Sequence, residues 1–155
     1  MRRTATVTIP ANAQIAGRES RDAGKVYLLT EMPSAQTERW ARRAVMALIK
    51  SGMEIPDDVA QAGIAGIAQL GLKAFAGIDD DTAESLLKEM FDCVSIIPDP
   101  AKPEVVRGPQ HMVDDDIQEV ATRLELRMEV FSLHTGFSLA ELRSKWTSAT
   151  KPRAG

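Results

Sequence analysis

His111, His134 and Cys93 are the side chains of this 155-residue sequence best suited to ligate zinc or to serve as base and nucleophile. Two aspartate triplets, at 79–81 and 114–116, have the chemistry to hold a hard cation. Spacing argues against each use. The histidines and the cysteine do not stand at the short intervals of a zinc site. The triplets lack the alternating oxygen ligands and the turn glycine of an EF-hand loop, and both precede helical patterns, where aspartates cap helix ends. No elbow such as G-x-S-x-G presents a serine nucleophile. Gly17 and the pair Gly24-Lys25 suggest a phosphate loop. Six residues separate those glycines where the loop has four, and Val26 stands where Ser or Thr must reach magnesium. No catalytic residue, cofactor or metal is therefore expected, and the chain is not expected to be an enzyme.

What remains is the chemistry of surfaces. At about 100° per residue, Arg39, Arg42, Arg43 and Lys50 share one sector of a helix, opposite Ala41, Ala44, Val45 and Leu48, with Trp40 at the border. Two readings stay open. Either this is a solvated face with Trp40 closing the core edge, or arginines beside an aromatic anchor grip an acidic partner, a composition enriched in binding hot spots. A later helix poses a second question. Ile117, Val120, Ala121, Leu124, Met128 and Phe131 form one narrow apolar stripe, while Leu126, Val130 and Leu133 form another on the opposite side. Either a short last helix bearing Leu139, Leu142 and Trp146 covers the second stripe, or another chain does. The candidate partner-binding residues are thus Arg39, Trp40, Arg42, Arg43, Leu126, Val130 and Leu133.

The elements that position these residues are legible in outline. The alternating runs "TATVTI" and "KVYLLTEM" predict antiparallel strands joined across the polar stretch 12–24. Ser34 as cap, with Glu38 in the first turn, starts helix one, which ends at Gly52. Asp57 or Asp58 opens helix two, expected to run to Gly77. Its stripe of Ala60, Gly63, Ile64, Ile67, Gly71, Ala74 and Phe75 invites close backbone packing, or an interface that swaps or polymerises. Asp81 with Glu84 opens helix three, whose stripe of Leu86, Leu87, Met90, Cys93, Val94 and Ile97 carries it to Ile97. Four of the eight prolines fall in 98–113, a loop with a short "EVVR" strand. Asp116 with Glu119 caps helix four, and Gly136 supplies a left-handed stop. Ser138 with Glu141 forms a capping box for helix five. The expected fold is mainly α, about five helices with a small N-terminal β-hairpin, in a single domain over 1–146. Within it, 1–33 form the hairpin, 34–97 helices one to three, 98–113 the loop and 114–146 helices four and five; 147–155 form a flexible tail.

Composition narrows the partners. A net charge of −3 gives no global attraction to nucleic acid or anionic membrane. A helix-turn-helix reading of 117–146 offers Arg143 and Lys145 alone as cations on its recognition helix, too few for phosphate contacts. "MRRTATVTIP" lacks the apolar run of a signal peptide, and 59–78 are too weakly apolar to span a bilayer. The lone Cys93 is read as a buried thiol in a reducing compartment. A cytoplasmic protein that binds neither nucleic acid nor membrane follows.

The strings "GKVYLLTEMPSAQTERWARRAVMAL", "LLKEMFDCV", "PDP" and "DDDIQEVATRLELRMEVFSLHTGF", in that order, resemble the phage tail assembly chaperones, small proteins from the tail-gene region of long-tailed phages and prophages. The resemblance covers residues 24–137 and lies in whole segments rather than in a short motif. It implies a non-catalytic helper in the cytoplasm of the bacterial host, absent from the finished virion. Such a helper binds the tape measure protein, keeps it soluble and helps recruit tail tube subunits. Self-association is compatible with this role. The alternative is a structural virion component, such as a head-tail completion or tail-terminator protein.

Overall fold

A computed structural model describes residues 1–70, 72–142 and 144. In chain order the elements are β1 (Thr4–Thr8), β2 (Gln14–Ile15), β3 (Arg18–Glu19), β4 (Val26–Thr30), α1 (Ser34–Lys50), α2 (Asp57–Gln61), α3 (Ile64–Leu70), α4 (Asp80–Phe91), β5 (Val94–Ile97) and α5 (Val120–Thr135). Short 3-10 turns occupy Leu72–Gly77 and Asp114–Asp116. The chain is 49% helical and 14% strand. It is mixed α/β rather than mainly α, because a third strand joins the expected hairpin. Contacts group it into two compact units: Met1–Glu31 with Glu89–Leu133, and Met32–Lys88 with His134–Gly155.

The first unit is built on the predicted hairpin. β1 and β4 pair antiparallel from Thr4↔Thr30 to Thr8↔Val26. β-branched and aromatic side chains suit this pleat, and period-2 alternation buries Tyr27 and Leu29 of β4 completely. The other edge of β4 accepts β5, from Val26↔Ile97 to Leu29↔Val94. Residues 94–97 are therefore strand, not the end of helix three. "VSII" is β-branched at three of its four positions, and its backbone groups pair with β4 rather than with the turn before. Cys93, a thiol in no disulfide, is buried just ahead of this strand. The "EVVR" segment contributes one bridge, with Arg107 and Ile96 exchanging N–H···O bonds of 2.9 and 3.0 Å. Within 12–24, β2 and β3 form a small ladder around Ala16 and Gly17, both at positive φ (52° and 80°), the twist that a two-residue hairpin needs.

The second unit is helical. α1 spans the expected residues, but Pro33 precedes it without a side-chain cap, and its first turn holds no acid. Trp40 is fully enclosed, donates from Nε1 to the Leu86 carbonyl at 2.9 Å and meets the Phe75 ring at 6.3 Å between centroids. Helix two breaks where its glycines lie. Gly63, at φ 63°, turns the chain between α2 and α3. Gly66 then lets α3 approach so closely that a Cβ there would sit 1.9 Å from the Val59 carbonyl oxygen. This intrachain close approach falls at Gly66, a residue outside the expected stripe. α4 is capped by Asp79, not Asp81: its carboxylate accepts from the Thr82 N–H at 3.0 Å and the Thr82 hydroxyl at 2.9 Å. Gly136, at φ 79°, follows α5 as expected. The Ser138 hydroxyl accepts from the Glu141 N–H at 3.1 Å, and residues 139–142 and 144 are helical. Arg143, Lys145, Trp146 and the tail 147–155 lie outside the described residues.

Candidate partner-binding surfaces

One residue with apparent metal or catalytic chemistry, His134, is engaged by the backbone. His134 Nε2 accepts from the Met32 N–H at 2.9 Å. Among the described residues, no group of three His, Cys, Asp or Glu side chains is placed to hold a metal ion. The triplet at 114–116 works as a clasp within the first unit. Asp116 takes two guanidinium bonds from Arg107, at 3.0 and 2.5 Å, and its backbone carbonyl accepts from the Tyr27 hydroxyl at 2.6 Å. Burial, then the charges of Asp22 and Asp116, raise the Tyr27 pKa above its ordinary value, so the hydroxyl stays a donor.

Asp22 is the second half of the clasp. Its fully buried carboxylate accepts from Lys25 Nζ at 2.8 Å, from the Gln118 N–H at 2.9 Å and from the Glu119 N–H at 2.9 Å. Lys25 also donates to the Asp115 carbonyl. An acid far away in sequence thus satisfies donors at the start of α5, replacing the local Asp116–Glu119 box read from sequence. α5 accordingly begins at Val120 rather than Asp116. Glu119 instead pairs with Arg21 at 2.9 Å. Burial pulls the Asp22 pKa up, but bonds from Lys25, Gln118, Thr122 and Glu119 together outweigh it and hold the carboxyl below the usual range. Asp116 follows the same pattern, with burial opposed chiefly by Arg107.

α1 carries an open cationic face in the second unit. Arg39, Arg42, Arg43 and Lys50 are exposed, and among them stand Met46 and Ile49, 57% and 55% exposed. Arg43 donates to the Ser85 hydroxyl at 3.0 Å, so one arginine is already oriented. Arg42, Arg43, Met46 and Lys50 line one side of a groove of about 460 Å³, with Ile78, Asp79 and Thr82 on the other. Bonds from the Thr82 backbone and hydroxyl lower the Asp79 pKa and tie its carboxylate to the cap of α4. The groove therefore has an apolar floor, a positive lip and an acid that is already engaged. Compared with known proteins, the chain matches no family model, no curated protein and no solved structure.

The structure brings Arg39, Arg42 and Arg43 together at the surface and removes Trp40 from it. Trp40 is enclosed because its indole reaches from α1 to the Leu86 carbonyl of α4 and lies tilted beside Phe75, so it is a core residue rather than a partner anchor. The first apolar stripe expected of α5 is split, with Ile117 and Phe131 buried but Val120 and Leu124 exposed. Leu126 and Val130 are fully buried and Leu133 is half-buried, whereas Val120 and Leu124 are 71% and 48% exposed. Of the two readings offered for the second stripe, a partner surface is thereby corrected to core at Leu126 and Val130, while Leu133 is not fully enclosed. Met46 and Ile49 were missed as surface groups. Their place in the same helical sector as the cations was the available signal.

Proposed function

We propose that the protein is a tail assembly chaperone, binding the tape measure protein before the tail tube encloses it and helping to recruit tube subunits. The resemblance over residues 24–137 supplies the family. The observation that carries the binding reading is the α1 groove, where Met46 and Ile78 lie beside Arg42, Arg43 and Lys50. A largely helical rod displays apolar stripes until it is enclosed, and a helper must cover them reversibly. An apolar floor supplies the contact, and rim charges set encounter rate and orientation more than strength. Among the described residues, no helix is long and apolar enough to cross a membrane.

Co-expression with the neighbouring tape measure and tube proteins, followed by pull-down, tests this reading. Wild type should co-purify with the tape measure protein. Reversing Arg39, Arg42 and Arg43 to Glu should abolish co-purification while leaving the melting temperature nearly unchanged, because exposed charges contribute little to folding. Retained binding would return the face to plain solvation. Mass spectrometry of purified virions that found several copies per tail would replace the chaperone with a structural component.

A further inference from the structure

Val120, Arg123, Leu124 and Arg127 recur along α5 at the spacing that places side chains on one side of a helix. Val120 and Leu124 are among the most exposed large apolar residues of the chain, at 71% and 48%. The two guanidiniums share a single ring: their Cζ atoms lie 4.9 Å (Arg123) and 5.4 Å (Arg127) from the Phe91 centroid. Among the described residues, no carboxylate forms an ion pair with either of them. The Arg127 Nε is buried without a hydrogen-bond partner. Burial, and then the neighbouring Arg123, lower the Arg127 pKa below its ordinary value. A ring face attracts cations, yet like charges one helical turn apart repel. The arrangement is preorganised for an anion that the described chain does not supply.

We propose that this side of α5 docks a partner polypeptide segment carrying a pair of carboxylates beside an apolar side chain. The carboxylates meet Arg123 and Arg127, and the apolar group seats against Val120 and Leu124. The ring fixes the two guanidiniums in advance, and planar arginine forks suit carboxylates in two-pronged bonding. A nucleic acid is disfavoured because two cations on a chain of net charge −3 give little phosphate neutralisation. A second copy docking through the same stripe would bring arginine against arginine, since a two-fold contact faces each patch with itself. A free anion would leave Val120 and Leu124 unused. This surface does not depend on the chaperone reading of the α1 groove.

The test titrates the 15N-labelled full chain with a helical peptide bearing two glutamates one turn apart beside a leucine, and with the same peptide carrying glutamines. The glutamate peptide should shift the amide signals of Val120, Arg123, Leu124 and Arg127. The glutamine peptide should bind about tenfold or more weakly, as expected when charged partners are lost. Arg123→Gln and Leu124→Ser should each weaken binding several-fold with the rest of the spectrum unchanged. Arg123→Gln, a surface change, carries the test alone if Leu124→Ser disturbs signals elsewhere. Equal binding of the two peptides, shifts confined to other elements, or indifference to Arg123→Gln would overturn the proposal. So would the same shifts from inorganic phosphate alone, which would mark a simple anion site. Stripe shifts that grow with protein concentration alone would assign the surface to a second copy and equally overturn it.

Discussion

Replacing Asp22 with alanine strands the donors that its carboxylate now satisfies at the start of α5: the Gln118 and Glu119 amides, both at 2.9 Å, and the Lys25 ammonium at 2.8 Å. Loss of a helix-cap acceptor costs about 0.5–2 kcal/mol. Leaving a buried partner unsatisfied adds about 1–3 kcal/mol. Lys25 keeps the Asp115 carbonyl and water, so its share is small. A total of roughly 2–4 kcal/mol follows, or a fall of roughly 5–15 °C in melting temperature for a chain of this length. The pH dependence has a definite sign. Asp22 has a lowered pKa in the folded state, so its contribution is complete above the ordinary carboxylate value, about 4. It is lost as pH falls through the folded value. Urea melts of wild type and Asp22→Ala should differ by the full amount at pH 7, and the gap should close in strong acid. Asp116 and Glu119 also have lowered pKa values, but both proteins carry them and they cancel in the difference. A gap that is the same at pH 7 and in strong acid, or below about 0.5 kcal/mol throughout, would refute the clasp as the anchor of α5.

Gly66→Ala should be strongly destabilising, at least the roughly 1–3 kcal/mol of an overpacked core, because the new Cβ would meet the Val59 carbonyl oxygen at 1.9 Å and backbone must move; a thermal melt within a degree of wild type would contradict the close approach of α2 and α3. Ala16→Asn should stabilise by up to about 1 kcal/mol, since Ala16 sits at φ 52° where asparagine is better tolerated; an unchanged denaturation midpoint would place the strain elsewhere.

Local patterns were legible wherever one period prevailed. β1 and β4 alternate cleanly and pair as predicted, and α1 follows from its cation and alanine faces. β5 was hidden because Val94 and Ile97 lie three apart and fit a helix as well as a strand; only pairing with β4 decides between them. β2 and β3 were hidden because Ala-Gly, not Asn-Gly, makes their turn. Helix two's glycines announced small-residue packing, but not that Gly63 would adopt left-handed backbone and split the helix. The exposure of Val120 and Leu124 on α5 had a readable cause. Arg123 and Arg127 share a sector with Val120 and Leu124, and two arginines in one stripe mark the wet side more surely than apolar count marks the dry one. Trp40 could not be placed from α1 alone, because its indole partner, the Leu86 carbonyl, belongs to another helix.

The pairing of β4 with β5 also bears on how the chain matures as it leaves the ribosome. β4 has β1 at hand from the start, but its other edge waits for a strand that emerges more than sixty residues later. At a synthesis rate of about 5–20 residues per second, a nascent β1–β4 ribbon spends several seconds with one backbone edge unpaired, and Tyr27 and Leu29 wait for their full enclosure. Residues 32–88, the larger part of the second unit, are contiguous in sequence and emerge in that interval. On a ribosome stalled so that residue 88 but not β5 has left the exit tunnel, the ribbon should still be cut by protease, and its protection should arrive only once β5 has cleared the tunnel.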